Sequence, residues 1–467
     1  MESKKICALL ARVVAVCTTV GAMVAWAPAS TEGLPGSAAS ATIALPWSSW
    51  GEVAALRLPP ETLGTLSSAV ALSGDTLAVG PAHDWDLGED HGGVRIFQCE
   101  QTRISNGNYS DGDQGQPWRE VGELLHPSAD IHTHFGASIA LQGDTLVIGA
   151  SHDSTQGFQA GAVFVYQRQG FGWFLQATLY RPHANAADYM GSSVHLQDDT
   201  LVVGVPKADQ DGVDTGAVEV FQRHNQMWMH QATLCMPQPQ IGSLFGLAVA
   251  IDGIRIFVGS PGDNTQGPIA GRAHVFQRTA TGWQWEGSVG CPTGPRGWFG
   301  ASIAAAEGRV VVGAPRAART QGSASFVRGA AWILQKRDSV WVCGDILLPP
   351  NAEQGDSIGC SAATDGHTIV LGATADSAHG HQAGCAYAFT QEISGAWRSQ
   401  RLDPRSVEPE SLIGHGLAVD GRWMAVGRLG NPEADPAPGE VSIFRLQRES
   451  EGAETFSAEA LKNEALP

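Results

Sequence analysis

A short apolar run ending in glycine occurs seven times along this chain, and its spacing dictates the architecture. The copies are Thr-Leu-Ala-Val-Gly80, Thr-Leu-Val-Ile-Gly149, Thr-Leu-Val-Val-Gly204, Arg-Ile-Phe-Val-Gly259, Arg-Val-Val-Val-Gly313, Thr-Ile-Val-Leu-Gly372 and Arg-Trp-Met-Ala-Val-Gly427. The intervals are 69, 55, 55, 54, 59 and 55 residues. Fourteen residues before this glycine stands an apolar residue, followed by glycine in six copies: Phe135-Gly136, Met190-Gly191, Phe245-Gly246, Phe299-Gly300, Ile358-Gly359 and Ile413-Gly414. The first copy reads Leu66-Ser67 instead. Twelve residues after it another glycine recurs, as Gly92, Gly161, Gly216, Gly271, Gly384 and Gly439, while the fifth copy reaches Gly329 after 16. A four-residue insertion there explains the interval of 59, and a 14-residue insertion between Gln98 and Trp118 explains that of 69.

Each unit reads as four strands, A to D. Strand A is the Phe-Gly segment, as in Phe135 to Leu141, and ends in a two-residue turn such as Gly143-Asp144. Strand B is Thr145 to Ala150, strand C is Gly161 to Gln167, and strand D opens on tryptophan, Trp173 to Leu179. The runs are too short and too β-branched for helices. Strand B is apolar on both faces, as a sheet packed between two neighbours requires, and strand A is rich in Gly, Ala and Ser, as crowding toward an axis requires. A seventh Trp-to-Leu segment, Trp50–Leu56, precedes the first strand A, and the last copy lacks one. Pairing the two closes a ring and removes the exposed sheet edges. The sequence therefore predicts an all-β fold: a seven-bladed β-propeller of four-stranded antiparallel blades, closed by Trp50–Leu56 in the last blade. The composition agrees. Among 467 residues, 57 Gly and 14 Trp with only 16% charged residues argue against disorder and helical arrays.

At the Phe-Gly and Gly-Ala-Pro segments, seen as Phe299-Gly300 and Gly313-Ala314-Pro315, the chain resembles the FG-GAP repeat family, the repeats of the integrin alpha-chain propeller and of many secreted microbial proteins. The resemblance covers nearly the whole chain after the N-terminal segment, and it implies a non-enzymatic binding or adhesion propeller whose B–C and D–A loop face meets the partner. It also implies calcium in Asp-rich A–B loops. Here the A–B connections are tight turns, as at Asp252-Gly253, so those calcium sites are expected to be absent.

The B–C loops carry the acidic variation. The fourth residue after the strand-B glycine is Asp84, Asp153, Asp263 or Asp376, with Asn431 in copy seven and a shift to Asp209 in copy three. Asp86 and Asp90, and Asp211 and Asp214, follow in the same loops. One reading is that these Asp residues order the loops by accepting backbone N–H groups. The other is that carboxylates at alternating positions, as in Asp84-Trp85-Asp86 or Asp209, Asp211 and Asp214, converge on Ca²⁺. Trp85 and Trp298 are candidate contact aromatics on this face. His83, His91, His132, His134, His152, His379 and His381 lie near it, and their His-x-His pairs suggest metal only weakly. Asn108-Tyr109-Ser110 is a glycosylation sequon that matters in a eukaryotic secretory pathway.

Residues 1–29 read as an export signal: Lys4, Lys5 and Arg12 precede the apolar stretch Val13 to Ala27, and small-x-small patterns follow. An uncleaved anchor is the alternative. The remainder divides into a linker, 30–46, the propeller, 47–447, and an acidic tail, 448–467. Cleavage would remove Glu2 and three bases, taking the net charge from −18 to −20. That balance argues against nucleic acid. No elbow, zincin, P-loop or dinucleotide motif is present. The expectation is a secreted or cell-surface monomer that binds a protein or glycan and is not an enzyme. The alternative is a carbohydrate- or ester-active enzyme with its site at the channel mouth.

Overall fold

The computed structural model describes residues 48–57, 66–81, 93–100, 117–128, 132–170, 172–321, 324–405, 407–429 and 439–448. All fall in the compact unit Pro46–Pro467; the other unit, Met1–Leu45, lies outside the described residues. So do the export signal, the linker, the tail beyond 448, and Asp84, Trp85, Asp86, Asp90, Asn108, His83, His91 and Asn431.

Seven four-stranded antiparallel sheets succeed one another along the chain. In the second blade the strands are Phe135–Gln142, Thr145–Ala150, Ala162–Gln169 and Gly172–Leu179. The seventh is built from Leu417–Asp420, Trp423–Arg428, Glu440–Arg448 and, from the other end of the chain, Ser48–Arg57. That last strand pairs antiparallel with Glu440–Arg448, Trp50 opposite Leu446 and Leu56 opposite Val441. The expected closure is thus present, and blades seven and one share a buried cluster containing Ala54, Leu56, Leu77, Trp423 and Ile443. Six further clusters fill the other six junctions between neighbouring blades. The four-residue insertion of blade five forms an extra hairpin, Ala318–Gln321 with Ala324–Val327.

The repeated glycines have one geometric cause. In the six Phe-Gly pairs the glycine has φ between +82° and +98°, a left-handed conformation that a Cβ disfavours. This breaks the ladder, so strand A begins only at Ser193, Val249, Ser302 and Leu417 in blades three, four, five and seven. The turned-out carbonyl rests on the strand-B glycine of the preceding blade: a Cβ on Gly149, Gly204, Gly259, Gly313 or Gly372 would collide with the next blade's Phe-Gly carbonyl. Ser138, Ser193, Ser302 and Ser361 donate their hydroxyls to the same carbonyls, of Gly191, Gly246, Gly359 and Gly414. The motif is a backbone-to-backbone joint between blades.

The recurring tryptophans tie the outer edges. Indole N–H groups of Trp228, Trp283, Trp341 and Trp397 donate to Gln176, Gln231, Glu286 and Asp345 on strand D of the preceding blade, at 3.0 to 3.1 Å. At the closing seam the pattern changes. Gln400 instead clasps the backbone of Trp50, accepting its N–H at 2.8 Å and donating to its C=O at 2.7 Å.

The A–B turns form a third belt. Turn N–H groups of Gly74, Gly143, Asp198, Gly253, Gly308 and Gly421 donate to side chains ending strand A of the neighbouring blade: Asp420, Ser73, Gln142, Gln197, Asp252 and Asp365. One face of the ring is therefore committed to holding blades together.

Buried histidines make this framework acid-sensitive. Burial pushes His274 down to about 4, and burial, with His134 and Lys207 nearby, pushes His152 down to about 3. Both stay neutral when folded, whereas the unfolded residues take up protons below about pH 6.5. Their contribution is complete above that value and is lost as pH falls toward the folded values, about 2 to 3 kcal/mol each by about pH 4.5. The expected urea midpoint is flat from pH 8 to 7 and falls steeply by about pH 4.5. A constant midpoint over that range would contradict the burial of these rings.

Candidate functional site

Alternation of antiparallel strands puts all B–C and D–A loops on the opposite face. In blades two, three, four and six backbone hydrogen bonds stitch the B–C loop to the D–A loop that follows it: Tyr189, Leu244, Trp298 and Leu412 donate their N–H to Gln159, Asp214, Ile269 and Gln382 carbonyls, at 3.2 to 3.3 Å. The donors occupy one repeat position, directly before the Phe-Gly pair. With His134 and Ser357 they complete a set of six, all left-handed, with φ from +47° to +59°, and all half-buried. Side chains seldom adopt that conformation, and here it persists because the loops are hydrogen-bonded on both sides.

Three of these positions carry rings, each met by the third residue after the strand-B glycine of its own blade. His134 stacks on His152 with centroids 3.5 Å apart in blade two. Lys207 Nζ sits 4.8 Å above the Tyr189 ring in blade three. Arg316 Cζ sits 3.9 Å above the Trp298 ring in blade five. His152 also reaches Tyr189 of the next blade, at 4.6 Å, so blades two and three share one run of rings ending in an ammonium. The Tyr189 hydroxyl donates to Gln159 Oε1 at 3.0 Å, which fixes the ring. Trp298 is legible in the sequence as a contact candidate; its partner Arg316, and Tyr189 with Lys207, carry no local signal of their own. Counting back one residue from each Phe-Gly pair finds Tyr189, and counting three on from each strand-B glycine finds Lys207 and Arg316.

The acidic candidates divide. Asp153, Asp263 and Asp376 are buried, 1%, 2% and 3% exposed. Their carboxylates accept the N–H two residues on, from Thr155, Thr265 and Ala378. Asp153 meets His126 Nε2 at 3.0 Å, and Asp263 and Asp376 pair with Arg272 and Arg401. Burial would raise the Asp153 and Asp376 carboxyls, but hydrogen bonds from His126 and Thr155, and from Arg401 and Ala378, hold both below the usual range. These three are loop framework turned inward.

Asp209 is not a shifted copy of that position, which is Ala208. It accepts the Asp214 N–H five residues on, as Ser154, Asn264 and Ser377 do in their blades. Burial and the nearby Asp211 carboxylate raise the Cys235 thiol, and Asp214 adopts φ +50° with its carbonyl bonded to Leu244. The carboxylate of Asp209 thus points into its own loop, and no group of three or more His, Cys, Asp or Glu placed to hold a metal occurs among the described residues. Calcium or EDTA is expected to leave the melting temperature of the protein unchanged within error. A rise of several degrees in calcium alone would restore the cation reading.

His132 and His381 are exposed, and His379 lies 3.5 Å from Asp403. The six cysteines Cys99, Cys235, Cys291, Cys343, Cys360 and Cys385 are free. Burial raises the Cys99 and Cys235 thiols to about 11 and Cys343 to about 12, which keeps them unreactive.

A family model for the FG-GAP repeat matches residues 118–166 and 173–221. Each match starts at a strand-D tryptophan and runs through strands A, B and C of the next blade. The chain carries FG-GAP repeats. Taken in that D-A-B-C order, the propeller begins with Trp50 and needs no displaced strand. A comparison with curated proteins returns no match. The FG-GAP propeller fold by itself suggests a binding or adhesion type of role, and folds of this kind host unrelated ligands.

Proposed function

We propose that this is a secreted or surface-exposed, non-enzymatic binding propeller that presents its B–C and D–A loops to a protein or glycan. The observation that carries the reading is the contrast between the faces. The A–B turns are consumed by blade-to-blade hydrogen bonds, while the opposite rim holds half-buried rings in fixed left-handed positions with exposed cations over two of them. Tyrosine, tryptophan and arginine held this way are the residue types that dominate binding energy at interfaces. Secretion belongs to this proposal and rests on residues 1–29. The test is capture of ligand from extracellular material or a glycan array. Exchanging the B–C loops of blades two to five should abolish capture, and substitutions in exposed positions of the A–B turns should not. Loss only from the A–B side would refute the assignment of the face.

One observation favours a second reading. Ser128 Oγ lies 2.9 Å from His126 Nδ1, and His126 Nε2 lies 3.0 Å from Asp153 Oδ2. Hydroxyl, imidazole and carboxylate in that order can activate a serine toward esters. Asp263 with Arg272 and Asp376 with Arg401 set a basic side chain on the same loop carboxylate without a serine, which favours a loop clasp. Labelling of Ser128 by a fluorophosphonate, abolished in Ser128→Ala, would establish the hydrolase; an unlabelled protein would dispose of it.

A further inference from the structure

Lys207 and Arg316 are exposed and occupy the same repeat position in blades three and five. Among the described residues neither has an acidic partner, whereas Arg181, Arg255, Arg272 and Arg401 each do. In a protein of net charge −18 both stay open to a carboxylate supplied from outside. Each cation is held over an aromatic ring whose backbone is fixed by loop hydrogen bonds. A guanidinium lying on an indole keeps its in-plane N–H groups free, and these fit a carboxylate in a bidentate manner. The cost of ordering both side chains is met before any ligand arrives. In the same loop as Lys207, Asp209 is tied to the Asp214 N–H and Asp211 lies beside Cys235. The buried Asp188 nearby is paired with Arg181.

Outside this rim, the same loops expose apolar side chains. Phe158 and Val213 at the B–C loop tips of blades two and three are 68% and 58% exposed, and Ile241 in the following D–A loop is 72% exposed. A saccharide ring can stack on Phe158 but has no use for the aliphatic Val213 and Ile241. A protein surface uses them, with cations and aromatics beside them.

We infer that the ligand of this face is a protein whose docking segment carries carboxylates next to apolar side chains. The carboxylates meet Lys207 and Arg316, and the apolar groups cover Phe158 and Val213. The inference rests on the proposed function and adds the chemistry of the partner. Local charge complementarity is its main argument: the two cations set the register of the docked carboxylates.

The test uses the full chain and two defined polyanions, a glutamate–tyrosine copolymer and polygalacturonate, in a binding assay at several salt concentrations. The copolymer is expected to bind more tightly than polygalacturonate, with an affinity that falls as salt rises. The double variant Lys207→Glu and Arg316→Glu should weaken copolymer binding about tenfold or more. A control of equal charge change on the other face, Arg337→Glu and Arg422→Glu, should leave it within about twofold. Phe158→Ser with Val213→Ser should remove the preference for the tyrosine-containing polymer over polyglutamate. Tighter binding to polygalacturonate would assign the face to an acidic glycan and overturn the inference. No binding of the copolymer, or equal losses in the test and control variants, would also overturn it. If loop exchange still abolishes ligand capture in that case, the proposed function stands and only the acidic-protein partner fails.

Discussion

Removal of residues 48–57 is expected to abolish cooperative folding, while removal of residues 1–47 is expected to leave the melting transition in place. The strand Ser48–Arg57 supplies the outer edge of the last blade and pairs along its whole length with Glu440–Arg448. It buries Trp50, Ala54 and Leu56. At about 1.5 to 3 kcal/mol for each large apolar side chain taken from water, Trp50 and Leu56 together represent a large part of a typical stability of about 5 to 15 kcal/mol. The clasp of Gln400 on Trp50 and the Arg405 N–H bond to Glu52 are lost with it. A strand edge along Glu440–Arg448 would be bared, which invites pairing between chains. Size-exclusion chromatography with a urea or thermal melt decides the matter: aggregation or a broad, early transition is expected for the shorter chain. An unchanged melt would mean that the ring does not depend on this strand.

That closure was readable from tryptophan bookkeeping alone, because a D strand at one end and its lack at the other leave a single arrangement without exposed edges. Strand order and register were legible for the same reason: seven in-register copies of Gly204 and its counterparts fix them. The physical work of these residues was not. Gly204 reads as a strand end, yet its job is to let the Gly246 carbonyl lie against it from the next blade. Asp153 and Asp263 read as surface ligands because a carboxylate in a loop is normally solvated, and nothing local announces that His126, 27 residues earlier, or Arg272 will meet it in the interior. Lys207 and Tyr189 are 18 positions apart in the sequence and meet only because the chain crosses the blade twice between them. Contacts within one repeat position could be read from the text; contacts that depend on how two loops of a blade lie against each other could not.

The joint between blades gives the second large effect, and it isolates one methyl group. Gly204→Ala is expected to destabilise the protein by about 4 kcal/mol or more, beyond the usual range for overpacking. The new Cβ would collide with the Gly246 carbonyl oxygen and the Ser193 hydroxyl. Ser193 can rotate away; the Gly246 carbonyl cannot, since the φ of +93° at that residue and its N–H bond to Gly259 at 3.0 Å hold it in place. Unlike the Phe-Gly residues, Gly204 is not among the left-handed positions, so conformational strain contributes nothing and the loss is steric. Gly253→Ala supplies the contrast. That turn glycine has φ +59° with open space around its Cβ position, so only the left-handed penalty of roughly 1 to 2 kcal/mol applies. Adding Ser193→Ala to Gly204→Ala should not restore stability, because the backbone collision remains. Equilibrium urea unfolding of the three variants measures all of this. Equal losses at Gly204 and Gly253, or rescue by Ser193→Ala, would show that the blades do not meet backbone to backbone at this joint.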